Sequence, residues 1–120
     1  MPTDLHTTLA LQRAAHRAQP YPSAAQRRAD LLQLKAFVRD NANAIAQAIH
    51  ADYGHRSRHE TMLAEVVPVV QAVDHAIQHL KQWMKPQRRA ADWVTFFGSQ
   101  NRVVPQPVGV VGIIVPSNFP

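Results

Sequence analysis

Pro107-Val-Gly-Val-Val-Gly-Ile-Ile-Val-Pro-Ser-Asn-Phe-Pro120 closes the 120-residue chain, and more rests on this stretch than on any other. Val110 to Val115 is a run of β-branched residues broken only by Gly112. It is too short for a membrane helix and reads as a strand buried on both faces, the kind found in parallel sheets. Asn118 stands where that strand ends. In open α/β sheets ligands bind just outside the carboxyl ends of strands, so a side-chain amide there is a candidate site residue on position alone. Gly109 and Gly112 lie inside the strand instead of opening a helix, and no GxGxxG is present, so they read as points of close backbone packing, not as a phosphate loop.

A doubly wound domain needs several strands, and only this one is convincing. With nothing after it to pair against, the sequence is expected to be the front end of something larger. The apolar fraction of 46% is ordinary for a globular protein. Zero cysteines exclude disulfides, cysteine-ligated metals and a cysteine nucleophile within these residues. No apolar run of about 18 residues can span a membrane, and Met1-Pro2-Thr3-Asp4 lacks the layout of a secretory signal, so a cytoplasmic location with no membrane partner is expected. The net charge of +5 raises the question of nucleic acid. Arg13, Arg17, Arg27, Arg28, Lys35 and Arg39 cluster in sequence, yet helical spacing puts most of them on a solvated face, and no aromatic residues for base stacking are interleaved. No nucleic-acid partner is expected.

Upstream, the chain reads as helices. The first spans about Asp4 to Ala18, with Thr3 or Asp4 as its cap, and Gln19-Pro20-Tyr21-Pro22 stops it. Ser23 caps a long second helix with Leu31, Leu34, Val38, Ala42, Ile45 and Ile49 in one stripe, a kink at Asn41 and Asn43, and Gly54 as the left-handed terminator. Ser57 and Glu60 form a capping-box pattern opening a third helix, with Leu63, Val66, Val67, Val70, Val73, Ile77, Leu80 and Met84 as its apolar set. Pro68 within it predicts a bend at residues 64 to 68. After Lys85-Pro86, Gln87 to Ala91 reads as a connector, and Val94 to Phe97 with Asn101 to Val104 as short strands or a hairpin about Gly98-Ser99.

The ending resembles the first strand and following loop of the NAD(P)-dependent aldehyde dehydrogenase superfamily, whose pattern is Pro-hydrophobic-Gly-Val-hydrophobic-Gly-Ile-Ile-x-Pro-Trp-Asn-aromatic-Pro. Ser117 stands where the family usually has Trp. A long helix ending in Ala51-Asp52-Tyr53-Gly54, another ending in Leu80-Lys-Gln-Trp-Met-Lys-Pro86, and an extended lead into Pro107 resemble the N-terminal quarter of class-3-like members. The Gly-Val-Val-Gly-Ile-Ile-x-Pro form is similar to that of bacterial coniferyl aldehyde dehydrogenases.

The resemblance implies an α/β, Rossmann-like fold, of which this portion is mainly α-helical with a C-terminal hairpin or extended segment and one buried strand. Residues 1–93 would be the helical part of the cofactor-binding domain, 94–108 an extended segment toward the oligomerisation region, and 109–120 the first strand and loop of the dinucleotide-binding sheet. The implied reaction oxidises an aldehyde, with coniferyl or another aromatic aldehyde as the substrate class. A thiolate attacks the carbonyl, hydride passes to the nicotinamide of NAD or NADP, and water hydrolyses the thioester. The catalytic cysteine, the general-base glutamate and the pyrophosphate-holding turn lie downstream in the family, so these residues alone are expected to be inactive. Asn118 matches the asparagine that donates to the developing oxyanion, and Ile114, Val115, Pro116 and Ser117 match the stretch bordering the nicotinamide-side ribose. A homodimer is implied for the full-length enzyme.

Other readings stand beside these. Asn118 in isolation reads more readily as a loop asparagine bonding its own backbone, a preference that the surrounding motif reverses. His75 and His79, like His55 and His59, lie four apart, but without cysteine or HExxH spacing they read as solvated faces, and no metal is expected. Trp83 and Trp93 pack the third helix or anchor a subunit interface. The second function class is a non-catalytic helical interaction module that keeps dehydrogenase-like sequence without the chemistry.

Overall fold

A computed structural model describes residues 4–92, 94–116 and 118. In chain order it contains α1 (Leu5–Ala18), α2 (Ala24–Asp40), α3 (Ala42–Tyr53), α4 (Arg58–Thr61), a π-helical turn (Met62–Val66), α5 (Val67–Trp83), β1 (Gln87–Arg89) and β2 (Asn101–Val103). These residues divide into two compact units. One holds α1 with the segment from Leu80 to Val111, and the other holds Ala25–His79 with the described residues from Gly112 onward.

In the first unit, Asp4 caps α1. Its carboxylate accepts from the Thr7 and His6 amides at 3.1 and 3.4 Å and from the Thr7 hydroxyl at 3.0 Å. The Thr7 amide, followed by the Thr7 hydroxyl and the His6 amide, holds this carboxyl below its ordinary range. β1 and β2 pair antiparallel with Arg88 opposite Arg102. The hairpin expected between Val94–Phe97 and Asn101–Val104 does not form; Asn101–Val103 pairs instead with Gln87–Arg89, the stretch read as a connector. Val94 to Phe97 is a turn, because Asp92 bends the chain there. The Asp92 carboxylate accepts from the Thr95 hydroxyl and from the Val94 amide at 3.0 Å, and its carbonyl accepts from Phe96 at 2.9 Å. The Thr95 hydroxyl, then the Val94 and Thr95 amides, lower the pKa of Asp92. Gly98 at φ +79 continues the reversal, a backbone angle open to glycine at no steric cost.

In the second unit the long helix breaks once. At Asn41 the backbone adopts φ −101, ψ 10, and both the Asn41 amide and its side-chain Nδ2 donate to the Phe37 carbonyl, at 3.0 and 2.8 Å. An asparagine side chain competing for a helix carbonyl in this way ends the ladder, and α3 restarts with Ile45 donating to the Asn41 carbonyl at 2.9 Å. Gly54 ends α3 at φ +76, its amide donating to the His50 carbonyl at 2.7 Å. Ser57 Oγ then accepts from the Glu60 amide at 3.1 Å and opens α4. Lys35, expected on a solvated face, is half-buried and pairs with Asp74 of α5, its Nζ donating to both carboxylate oxygens at 2.6 and 2.7 Å.

Pro68 bends nothing into two helices. Its missing amide is accommodated by the π turn just before it, where Val67 donates to the Met62 carbonyl, five residues back. The extra residue rotates the preceding turn relative to α5, which takes Leu63 off the apolar stripe. Leu63 is 72% exposed, whereas Val66 and Val73 are buried together with Ala46, Ile49 and Thr61. Leu34, placed on the α2 stripe by its spacing, is also exposed.

Candidate active site

Gly109 to Pro116 forms no strand. A strand is stabilised by ladder hydrogen bonds to neighbours and by cover on its faces, and among the described residues no strand pairs with this segment. Val111, Ile113, Ile114 and Val115 are therefore exposed, Ile114 completely. Ser117 lies outside the described residues, as does Trp93; Trp83 is half exposed.

Ile114, Val115 and Pro116 have no charged or side-chain hydrogen-bonding group. Their side chains suit van der Waals contact with a sugar or ring and offer a phosphate no donor.

Asn118 is exposed, but its backbone is not loose. Arg56 Nη1 donates to the Asn118 carbonyl at 2.9 Å. Arg56 is 6% exposed and sits in the short turn between the Gly54 terminator and the Ser57 cap. Its Nη2 donates to Glu65 Oε1 at 2.9 Å, its Nε lies 3.6 Å from Glu60 Oε1, and its guanidinium carbon stands 5.4 Å from the centre of the Tyr53 ring. The Arg56 carbonyl is anchored in turn by His50 Nδ1 at 2.9 Å. Glu60 thus occupies the capping-box position while its carboxylate lies beside Arg56. Glu65 comes from the π turn.

Sequence reasoning picked out Asn118 and missed Arg56, Glu60 and Glu65 as a group. In the run His55-Arg56-Ser57-Arg58 an arginine reads as a surface charge. The available signal was its place in a tight turn between a glycine terminator and a serine cap, where a long side chain can fold back over both helix ends.

A cavity of about 770 Å³ adjoins this turn, lined in part by Asn43, Gln47, His50 and Arg58. Arg58 donates to Asn43 Oδ1 from Nε and Nη2 at 3.1 and 2.6 Å, and His50 Nδ1 bonds Arg56, so these groups bind one another. Among the described residues the lining holds no carboxylate. His75 and His79 stack with ring centroids 4.1 Å apart, His79 Nδ1 bonding the His75 carbonyl at 2.9 Å. Among the described residues no helix is long and apolar enough to cross a membrane.

Residues 3–120 match the Aldehyde dehydrogenase family. The chain is 43% identical over 116 residues to the "Probable coniferyl aldehyde dehydrogenase" of Pseudomonas aeruginosa, covering 97% of this chain and 24% of that protein. It is 36% identical over 118 residues to the protein of the same name from Caulobacter vibrioides, again 97% and 24%. The rat "Aldehyde dehydrogenase family 3 member B1" is 34% identical over 108 residues, covering 90% of this chain and 23% of the relative. The chain therefore spans about a quarter of the length of the curated relatives it matches. No solved structure matches.

Proposed function

The chain belongs to the aldehyde dehydrogenase family, and from that premise we propose that it supplies the N-terminal part of an enzyme oxidising an aldehyde to its carboxylic acid with NAD(P)+. The observation that carries this reading is the family match over residues 3–120, which ends on the Pro-Val-Gly-Val-Val-Gly-Ile-Ile-Val-Pro-Ser-Asn run. An aromatic aldehyde of the coniferyl type is the proposed substrate, supported by the names of the two bacterial relatives.

When bound, NAD(P)+ would supply the hydride acceptor, bordered by Ile114, Val115, Pro116 and Ser117. Asn118 has the catalytic role within this chain. As a nucleophile from elsewhere in the enzyme attacks the carbonyl carbon, the aldehyde oxygen gains negative charge, and the Asn118 amide donates a hydrogen bond to it. Such a donor acts mainly where charge develops, so its loss raises the barrier by about 2.7 to 4 kcal/mol. The segment from residue 94 to 108 is proposed to face a second subunit of a homodimer, a role that the exposed Val94, Phe96 and Phe97 support. In the complete enzyme, Asn118→Ala is expected to lower turnover by about 100-fold to 1000-fold with a modest change in cofactor affinity. Turnover close to wild type in that variant would remove Asn118 from the mechanism.

A further inference from the structure

We propose that Arg56 is a positioning residue for the oxyanion donor, holding the Asn118 carbonyl so that the Asn118 amide is aimed before the substrate arrives. The proposal rests on the role given to Asn118 above and concerns what orients it.

Three features of the turn carry it. First, the guanidinium is fixed at more than one point. Nη2 donates to Glu65 at 2.9 Å, Nε lies 3.6 Å from Glu60, and the Tyr53 ring lies within cation–π distance. A planar fork held this way presents its remaining donors in set directions, which a flexible ammonium cannot do. Second, the backbone that bears it is fixed, because Gly54 donates to His50 and His50 bonds the Arg56 carbonyl. Third, the contact at 2.9 Å from Nη1 to Asn118 spans 62 positions of sequence and lands on main chain, so it constrains the peptide plane from which the Asn118 side chain projects. The guanidinium takes the main-chain carbonyl of a residue that is itself exposed. An oxyanion donor stabilises the transition state only if it needs no reorganisation at the moment of reaction.

A buried arginine facing a part-buried carboxylate also has a structural role, so the test must separate orientation from folding. In the complete enzyme, Arg56→Lys keeps the charge and the pairing with Glu65 but not the two-directional fork. It is expected to lower kcat by about 10-fold to 100-fold, the range a small misplacement of a catalytic group produces, with KM for the cofactor unchanged. The same substitution made on Asn118→Ala should cause no further loss, since Arg56 acts through Asn118. Glu65→Gln, which leaves an acceptor for Nη2 and loosens the clamp, should show a smaller kcat loss that likewise vanishes in the Asn118→Ala background. Unchanged kcat in Arg56→Lys, or losses that multiply with that of Asn118→Ala, would overturn the proposal. Wild-type turnover in Asn118→Ala alone would instead overturn the assignment of Asn118, and with it any positioning role toward it.

Discussion

At Asn118 the main chain has a fixed partner, and the side chain is proposed to serve another. The carbonyl accepts from a guanidinium that is almost fully buried, while the residue itself remains exposed. Charge makes the side-chain chemistry testable by a second substitution: Asn118→Asp in the complete enzyme should fall below Asn118→Ala, because a carboxylate repels the oxyanion that an amide attracts. Steady-state kinetics of the two variants, with circular dichroism as a control for folding, checks the order. The reverse order would point to disruption of the loop in place of lost electrostatics. Asn118 was legible because it stands at the end of a distinctive run. Arg56 was not, since burial of an arginine depends on where Glu60, Glu65 and Tyr53 meet in space, and no local pattern of hydropathy records that meeting.

Helix ends were the most legible elements, for their causes are local. Asp4, Asn41, Gly54 and Ser57 each act through hydrogen bonds or backbone angles within a few positions of themselves. The Asp4 cap has a pH signature. Its folded-state pKa is lowered by the bonds from Thr7 and His6, so its contribution is present above the ordinary value near 3.8 and is lost as pH falls through the lower folded value. Helicity assigned to Leu5–Ala18 should therefore decline on acidification below that value. Asp4→Ser keeps a capping oxygen and removes the titration, and NMR secondary shifts of Thr7 and Thr8 should be flat in that variant over the same window. A decline as steep as in the wild-type chain would assign the effect to another group.

The π turn was half legible. Pro68 announced a disturbance of the helix, but not that five residues of π geometry would absorb it and bring Glu65 into the Arg56 cluster. Replacing Pro68 with Ala restores the missing donor, so helicity by circular dichroism should be equal or raised. A marked loss of folded signal would mean that the π turn is required for packing. The strands were the least legible elements. Val94 to Phe97 has strand-like composition, yet the Asp92 turn captures it, and the partner of Asn101–Val103 is the polar Gln87–Arg89. Pairing is set by what lies across the ladder, which composition does not encode.

For the whole molecule, the apolar run from Val110 to Val115 behaves as a strand sequence without a sheet. An exposed apolar run of this kind favours association with other chains. The isolated 120-residue chain should self-associate in sedimentation experiments or show little amide protection from Gly109 to Val115. A sharply monomeric chain strongly protected there would mean the strand has found partners within the molecule. With no cysteine in its sequence, this chain alone should not reduce NAD(P)+ with any aldehyde. The most direct test of the central claim is the aldehyde-dependent rate of NAD(P)H formation by the complete enzyme carrying these residues, measured side by side with its Asn118→Ala variant. A rate that falls about 100-fold to 1000-fold in the variant is the predicted result; equal rates in the two, or a wild-type enzyme that turns over no aldehyde, would contradict the account.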